Sequence, residues 1–130
     1  MASHIPGTIV VIDDDSLVRS AIARLLRSVQ YTVETFASAE AFLGSPRRAA
    51  PACLVLDVDL PGLSGPALQR TLAEAQRPIP IIFLTGRGTM PMVADALPSG
   101  AVACLTKPCD APELFDAVRK ALMWQGRASP

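Results

Sequence analysis

Asp13, Asp14, Asp57, Thr85 and Lys107 are the residues whose types and spacing could do chemistry together. Each stands just after a short apolar run. Asp13-Asp14-Asp15 follows the first, Asp57-Val58-Asp59 the third, Thr85-Gly86 the fourth and Thr106-Lys107-Pro108 the fifth. The second run ends in Phe36-Ala37-Ser38, with nothing ionisable. Carboxylates brought within a few ångströms repel one another and need a cation. Magnesium suits such a cluster, because it uses one or two carboxylates and retains several waters. Calcium would want more protein oxygens than the cluster offers. Asp15 alone, just before Ser16, reads as a helix cap. The signal lies in the combination at four separate run ends.

The runs themselves are Thr8–Ile12, Tyr31–Phe36, Ala52–Leu56, Ile79–Leu84 and Ala101–Leu105. Each is short and rich in β-branched or large aliphatic residues, which predicts five strands. The first, third and fourth show little polar alternation, as strands buried on both faces of a parallel sheet do. Helical patterns fill the gaps. Val18, Ile22, Leu25, Leu26 and Val29 recur at helical spacing after Ser16. Ser38 is placed to cap Ala39–Leu43, and Ser64-Gly65-Pro66 opens a segment in which Leu68, Leu72 and Ala75 share a face. Thr89-Met90-Pro91 opens a short helix that Pro98 must end, since proline lacks an N–H. Asp110-x-x-Glu113 has the form of a capping box before Leu114, Phe115, Val118, Ala121 and Leu122.

Strand–helix alternation repeated five times predicts an α/β domain, a parallel sheet covered by helices on both faces. In such sheets ligands bind beyond the carboxyl ends of the strands, where the strand order reverses. With the order 2-1-3-4-5, strands one and three adjoin and their carboxylates converge.

Composition narrows the function classes. The 130 residues suit one domain, and 50% hydrophobic content at formal charge +0 excludes a disordered chain. With 12 basic and 12 acidic residues there is no basic surplus to displace phosphate counterions, which argues against a general nucleic-acid binder. Cys53, Cys104 and Cys109 form no C-x-x-C pair and fit a reducing compartment. No run approaches a membrane span, and the start lacks the pattern of a secretory signal, so a cytoplasmic protein is expected. Residues 1–7 read as a tail, 8–124 as the domain, and 125–130 as a tail or the start of a linker, which favours a domain cut from a longer chain.

The segments Val10–Asp15, Leu54–Gly65, Leu84-Thr85-Gly86 and Leu105-Thr106-Lys107-Pro108 resemble the receiver domain of two-component response regulators over roughly residues 8–123. Ser38–Leu43 and Gly86-Arg87-Gly88 with Pro91-Met92 look more like the FixJ-type branch, whose members are often transcription factors. The resemblance implies a flavodoxin-like (βα)5 three-layer sandwich. It implies that Asp57 accepts a phosphoryl group from a kinase phosphohistidine as a nucleophile. Asp14 and Asp57, with the Asp59 backbone carbonyl, would bind Mg²⁺ directly and Asp13 through a water. Lys107 would contact one phosphoryl oxygen and the Thr85 hydroxyl another, drawing its loop inward. A cis Lys107–Pro108 bond is implied as well. Gly62 and Gly65 read as turn residues with positive φ, and Gly86 as the same or as a gap that leaves the acceptor open.

The implied partners are a sensor histidine kinase or phosphotransfer protein, and a second copy on phosphorylation through the helix over 89–97, strand five and the last helix. Direct nucleic-acid binding by this chain and membrane contact are not expected. Neither is catalysis beyond the chain's own phosphorylation and dephosphorylation. Where many receivers carry an aromatic switch residue and a later Phe, this sequence has Cys104 and Cys109. The switch, Thr85 with Cys104, would then work with a small side chain at 104 or depend more on backbone movement, and the two thiols read as small hydrophobes before they read as a redox device. Asp59 and Arg87 are expected to rim the site with Gly86. Met90, Met92 and Leu97 offer an adaptable partner surface. Two rivals remain: a pseudo-receiver that binds protein without accepting phosphate, and a haloacid-dehalogenase-type phosphatase, suggested by Asp57-Val58-Asp59. In the latter family, however, the Asp-x-Asp ends the first strand and the acidic pair comes last.

Overall fold

The apolar runs form strands at Ile9–Ile12 (β1), Val33–Phe36 (β2), Cys53–Asp57 (β3), Ile81–Thr85 (β4) and Ala101–Thr106 (β5), in a computed structural model that describes residues 7–46, 50–76, 79–86 and 101–123. Helices span Ser16–Ser28 (α1), Ala39–Gly44 (α2), Gly65–Glu74 (α3) and Ala111–Leu122 (α4). All ladders are parallel and the order is β2-β1-β3-β4-β5, as expected.

Period-two alternation sorts the strand side chains into two cores. Ile9, Val11, Cys53, Val55, Ile82 and Leu84 face Ile22, Ala23 and Leu26 of α1 and Leu114, Ala117, Val118 and Ala121 of α4. Val10, Ile12, Leu54, Leu56, Ile81 and Phe83 face Ala39 and Phe42 of α2 and Leu68 and Leu72 of α3. The result is a three-layer sandwich. Every residue of β1, β3 and β4 is buried, which is why those runs lack polar alternation.

Side-chain caps set where the helices begin. Asp15 accepts the Leu17 N–H at 2.9 Å and the Val18 N–H at 3.3 Å, and Ser38 accepts the Ala41 N–H at 3.0 Å. Ser64 accepts from Ala67 at 3.2 Å, and the capping box between Asp110 and Glu113 is closed in both directions. Asp15 is thus the helix cap that its place before Ser16 predicts.

Several boundaries differ from the sequence reading. Thr8, Tyr31, Thr32, Ala52, Ile79 and Pro80 lie outside the strands. The Tyr31 N–H bonds to Leu26 at the end of α1, and Pro80 offers the ladder only its carbonyl, to Leu54. Conversely the strands take in Asp57, Thr85 and Thr106, because Asp57 pairs with Leu84 and Thr85 with Thr106. A ladder is a backbone property and does not stop where the apolar run stops. Ala75, expected on the apolar face of α3, is its exposed C-cap. The helix expected over 89–97, with Met90, Met92, Leu97 and Pro98, lies outside the described residues, as do residues 1–6 and 124–130.

One irregularity bears on the site. Ile81 pairs with Ala101 but Ile82 with Ala103, so Val102 is an extra residue in β5. Such a bulge shifts every later side chain by one position, and a one-residue shift moves it to the other face. Cys104 therefore packs with Phe83 in the second core, and Leu105 with the first.

Candidate functional site

The carboxyl ends of β1, β3, β4 and β5 bring together residues drawn from four points in the chain. Ligand oxygens of Asp13, Asp14 and Asp57 lie within 4.8 Å of one another. Asp13 is fully buried, Asp57 is 3% exposed, and Asp14 is exposed. The Lys107 ammonium reaches across from the end of β5, 2.9 Å from Asp13 Oδ2 and 3.3 Å from Asp57 Oδ1. The Lys107 N–H donates to the Thr85 carbonyl at 2.8 Å, which fixes the backbone from which the ammonium extends, and the Lys107–Pro108 bond is cis.

Backbone donors complete the arrangement. The Asp15 N–H donates to Asp13 Oδ1 at 2.9 Å, and the Asp59 N–H to Asp57 Oδ1 at 3.3 Å. Both of these Asp57 contacts fall on Oδ1. Burial, and then repulsion from Asp13, push the Asp57 carboxyl above its ordinary range, while the Asp59 N–H and Lys107 pull the other way. For Lys107, burial lowers the ammonium pKa, but the contacts with Asp13 and Asp57 outweigh it and the net direction is up. The site thus holds more negative charge than its one lysine offsets. Oxygen-only donors with an uncompensated charge and one exposed carboxylate fit a hard divalent cation.

Thr85 is fully buried, and its hydroxyl donates to the Gly86 carbonyl at 2.8 Å. To meet a phosphoryl oxygen it must leave that acceptor. A Cβ at Gly86 would have no neighbour within 4 Å, and φ there is not positive, so the glycine leaves space rather than permitting a strained turn. Gly62 does have positive φ (+76°). Gly65 does not, which corrects its reading as a turn residue. A Cβ there would lie 2.6 Å from the Asp57 carbonyl oxygen and 3.1 Å from the Phe83 ring, so the glycine lets the start of α3 press against the end of β3.

Cys104 and Cys109 do not form a pair across one face. Cys104 packs against the second core and Cys109 against the first. Burial raises both thiols above their ordinary value, which keeps them protonated and poorly nucleophilic at neutral pH. Arg87, expected to rim the site opposite Asp59, lies outside the described residues.

Two residues that the sequence reading passed over hold the site's loops. Arg19 Nη1 donates to the Asp13 carbonyl at 2.7 Å. A cation so near the start of a helix opposes the helix dipole, and that was the available signal that it had a partner. Glu40 of α2 accepts the Leu63 N–H at 2.8 Å, tying α2 to the loop after β3. That bond and one from its own backbone hold the Glu40 carboxyl below its ordinary value. An acidic residue in a first helical turn is ordinary, so nothing marked Glu40 in advance.

Comparison with known proteins gives a consistent picture. Residues 9–119 match the family model for the response regulator receiver domain. The chain is 46% identical over 116 residues to the response regulator protein TodT of Pseudomonas putida F1, covering 89% of this chain and 51% of TodT. It thus spans about half the length of the curated relatives it matches. Among solved structures, the response regulator StyR superposes with a TM-score of 0.83 at 42% identity, over 89% of this chain and 59% of StyR. FixJ-N superposes with a TM-score of 0.82 at 32% identity, over 95% of this chain and 96% of that one.

Proposed function

The chain belongs to the response regulator receiver family, and from that premise we propose that Asp57 is its phosphoacceptor, charged by a histidine kinase or phosphotransfer protein. The observation that supports this most directly is the crossing of Lys107 onto Asp57 and Asp13 beside an exposed Asp14. In the proposed reaction an Asp57 carboxylate oxygen attacks phosphorus and forms the acyl phosphate O–P bond. The P–N bond of the donor phosphohistidine breaks, and the imidazole leaves with the electron pair.

Asp14, Asp57 and the Asp59 carbonyl would hold Mg²⁺, with Asp13 acting through a water. When bound, the cation neutralises charge on the phosphoryl oxygens. The remaining work belongs to the chain. Lys107 shifts from Asp57 Oδ1 to a phosphoryl oxygen. Thr85 exchanges the Gly86 carbonyl for a second phosphoryl oxygen, and that exchange carries the signal into the loop after β4. Positioning and charge are what phosphoryl transfer needs from a protein. We assign the wider protein to transcription control in the cytoplasm, with phosphorylation promoting homodimerisation. The relative FixJ is named a transcriptional regulatory protein.

Mass spectrometry after incubation with a small phosphoryl donor and Mg²⁺ tests the reading. One phosphoryl group should be gained, and none in Asp57→Ala or when the metal is chelated. An unmodified wild-type chain would leave a protein-binding module that phosphate does not switch. Sustained turnover of phosphate esters would point to a phosphatase instead.

A further inference from the structure

On the side of α1 turned to the edge of the sheet lies a cleft of about 320 Å³, lined by Arg19, Ser20, Ala23, Arg24 and Arg27 of α1 and by Thr35 of β2. We propose that this cleft is a binding site for a diphosphate group, separate from the phosphoacceptor.

Charge is the first argument. Three arginines line one small concavity, in a chain whose formal charge is +0. Among the described residues no carboxylate lies within ion-pair distance of any of them, whereas Lys107, Arg119 and Lys120 all have acidic partners. Glu34, the acidic neighbour of Thr35 on β2, points to the opposite face. Thr35 pairs with Val11 of the first core, and Glu34 with Val10 of the second.

Preorganisation is the second. Arg19 Nη1 is held by the Asp13 carbonyl at 2.7 Å and Arg27 Nη2 by the Val33 carbonyl at 2.8 Å. Both acceptors are neutral carbonyls, so neither bond is an ion pair. A guanidinium carries five N–H donors, so each keeps most of them for a ligand. Side chains fixed before binding lose less freedom when a ligand arrives.

The lining also selects the ligand. Guanidinium forks pair with phosphoryl oxygens in a bidentate way, and the Ser20 and Thr35 hydroxyls can add single bonds. Among the described residues no aromatic or long aliphatic side chain lines the cleft, so none of them would stack on a base or bury a hydrocarbon tail. Recognition therefore falls on the anion itself. Arg24 and Arg27 stand three residues apart, about 4.5 Å along the helix axis, and two linked phosphoryl groups can meet two neighbouring forks where one cannot. Free pyrophosphate and the tail of a nucleoside diphosphate share this chemistry.

The test is a titration of the 130-residue chain with pyrophosphate at constant ionic strength, with chelator present and no Mg²⁺. Calorimetry and the amide and arginine side-chain NMR signals report binding away from the acidic cluster. We expect one saturable site with shifts centred on Arg19, Arg24, Arg27 and Thr35. Arg24→Gln and Arg27→Gln should each weaken binding by about fivefold or more, each losing a charge-assisted pair. Arg27 also supports β2, so Arg24→Gln, a change at an exposed residue, decides if the Arg27 variant loses stability. Equal affinity for ADP would assign recognition to the diphosphate alone, and tighter ADP binding would assign a nucleotide. A response that fails to saturate overturns the site. So does sulfate binding as tightly at the same ionic strength, Arg24→Gln binding like wild type, or an acidic peptide outcompeting pyrophosphate.

Discussion

Gly65 offers a sharp test of how the fold positions the phosphoacceptor. Alanine there would improve helix propensity, since glycine in a helix costs up to about 1 kcal/mol relative to alanine. Against that, the new Cβ would stand 2.6 Å from the Asp57 carbonyl oxygen, 3.1 Å from Val58 Cα and 3.1 Å from a Phe83 ring carbon. Ordinary carbon contacts begin near about 3.5 Å, and two of these three neighbours are backbone atoms with no rotamer to change. Overpacking of this kind costs about 1–3 kcal/mol. The clash should win, leaving Gly65→Ala less stable than wild type by about 1–2 kcal/mol. Gly44, at the end of α2, is the internal control. A Cβ there meets nothing within 4 Å, so Gly44→Ala should be neutral or stabilising, by up to about 1 kcal/mol. Urea denaturation followed by circular dichroism measures both, read as a shift in midpoint at constant slope. The atom struck belongs to Asp57 itself, so phosphorylation of Gly65→Ala by a small donor should slow by about tenfold, as misplacement of a reacting group does. Gly65→Ala proving as stable as Gly44→Ala would refute the close-approach argument and leave propensity in charge.

Other substitutions probe the charge and the core. Burial and repulsion by Asp13 raise the Asp57 carboxyl, so the folded state holds that proton more tightly than the unfolded chain does. Stability should therefore fall as pH rises from the unfolded value, about 3.9, through the raised folded one. Asp57→Asn, with no proton to lose, should match wild type in acid and exceed it at neutral pH by about 1 kcal/mol or more in the absence of Mg²⁺. A gap between the two proteins that is independent of pH would contradict this. Gln69 is buried on α3, and among the described residues Nε2 has no hydrogen-bond partner. Gln69→Met keeps the length and removes that donor, and should raise stability by about 1 kcal/mol. A lower urea midpoint would show that the amide is satisfied after all.

The order of the described elements and the residues of the candidate site were legible because each rests on a local signal. Strands buried on both faces read as unbroken apolar runs, and Ser38, Asp15 and Asp110 cap helices with their own side chains. Asp13, Asp14, Asp57, Thr85 and Lys107 stand out because polar residues end those runs. Less was legible where the chain breaks its own convention. The end of α1 has the bonding of a glycine-type stop, with Gln30 N–H to Arg27, Tyr31 N–H to Leu26 and Gln30 at φ +79°. Glycine is the residue that favours that conformation, so glutamine in its place concealed the turn and let the second strand seem to start too early.

The β5 bulge shows why side-chain orientation was harder to read than element order. In an unbroken register from Ile81 opposite Ala101, Leu84 would stand opposite Cys104, and the thiol would enter the first core. The extra Val102 instead places Cys104 beside Phe83, whose ring contacts the position where a Gly65 Cβ would stand. The same one-residue shift sets Thr106 opposite Thr85, and Lys107, the next residue, then bonds the Thr85 carbonyl and turns its ammonium onto Asp13 and Asp57. No residue type in Ala101-Val102-Ala103 announces a bulge. The small side chains are compatible with either face, so alternation gives no parity there. The lysine could be named from the sequence as the site's cation, but its arrival at the carboxylates depends on a backbone irregularity decided by how β5 packs on β4.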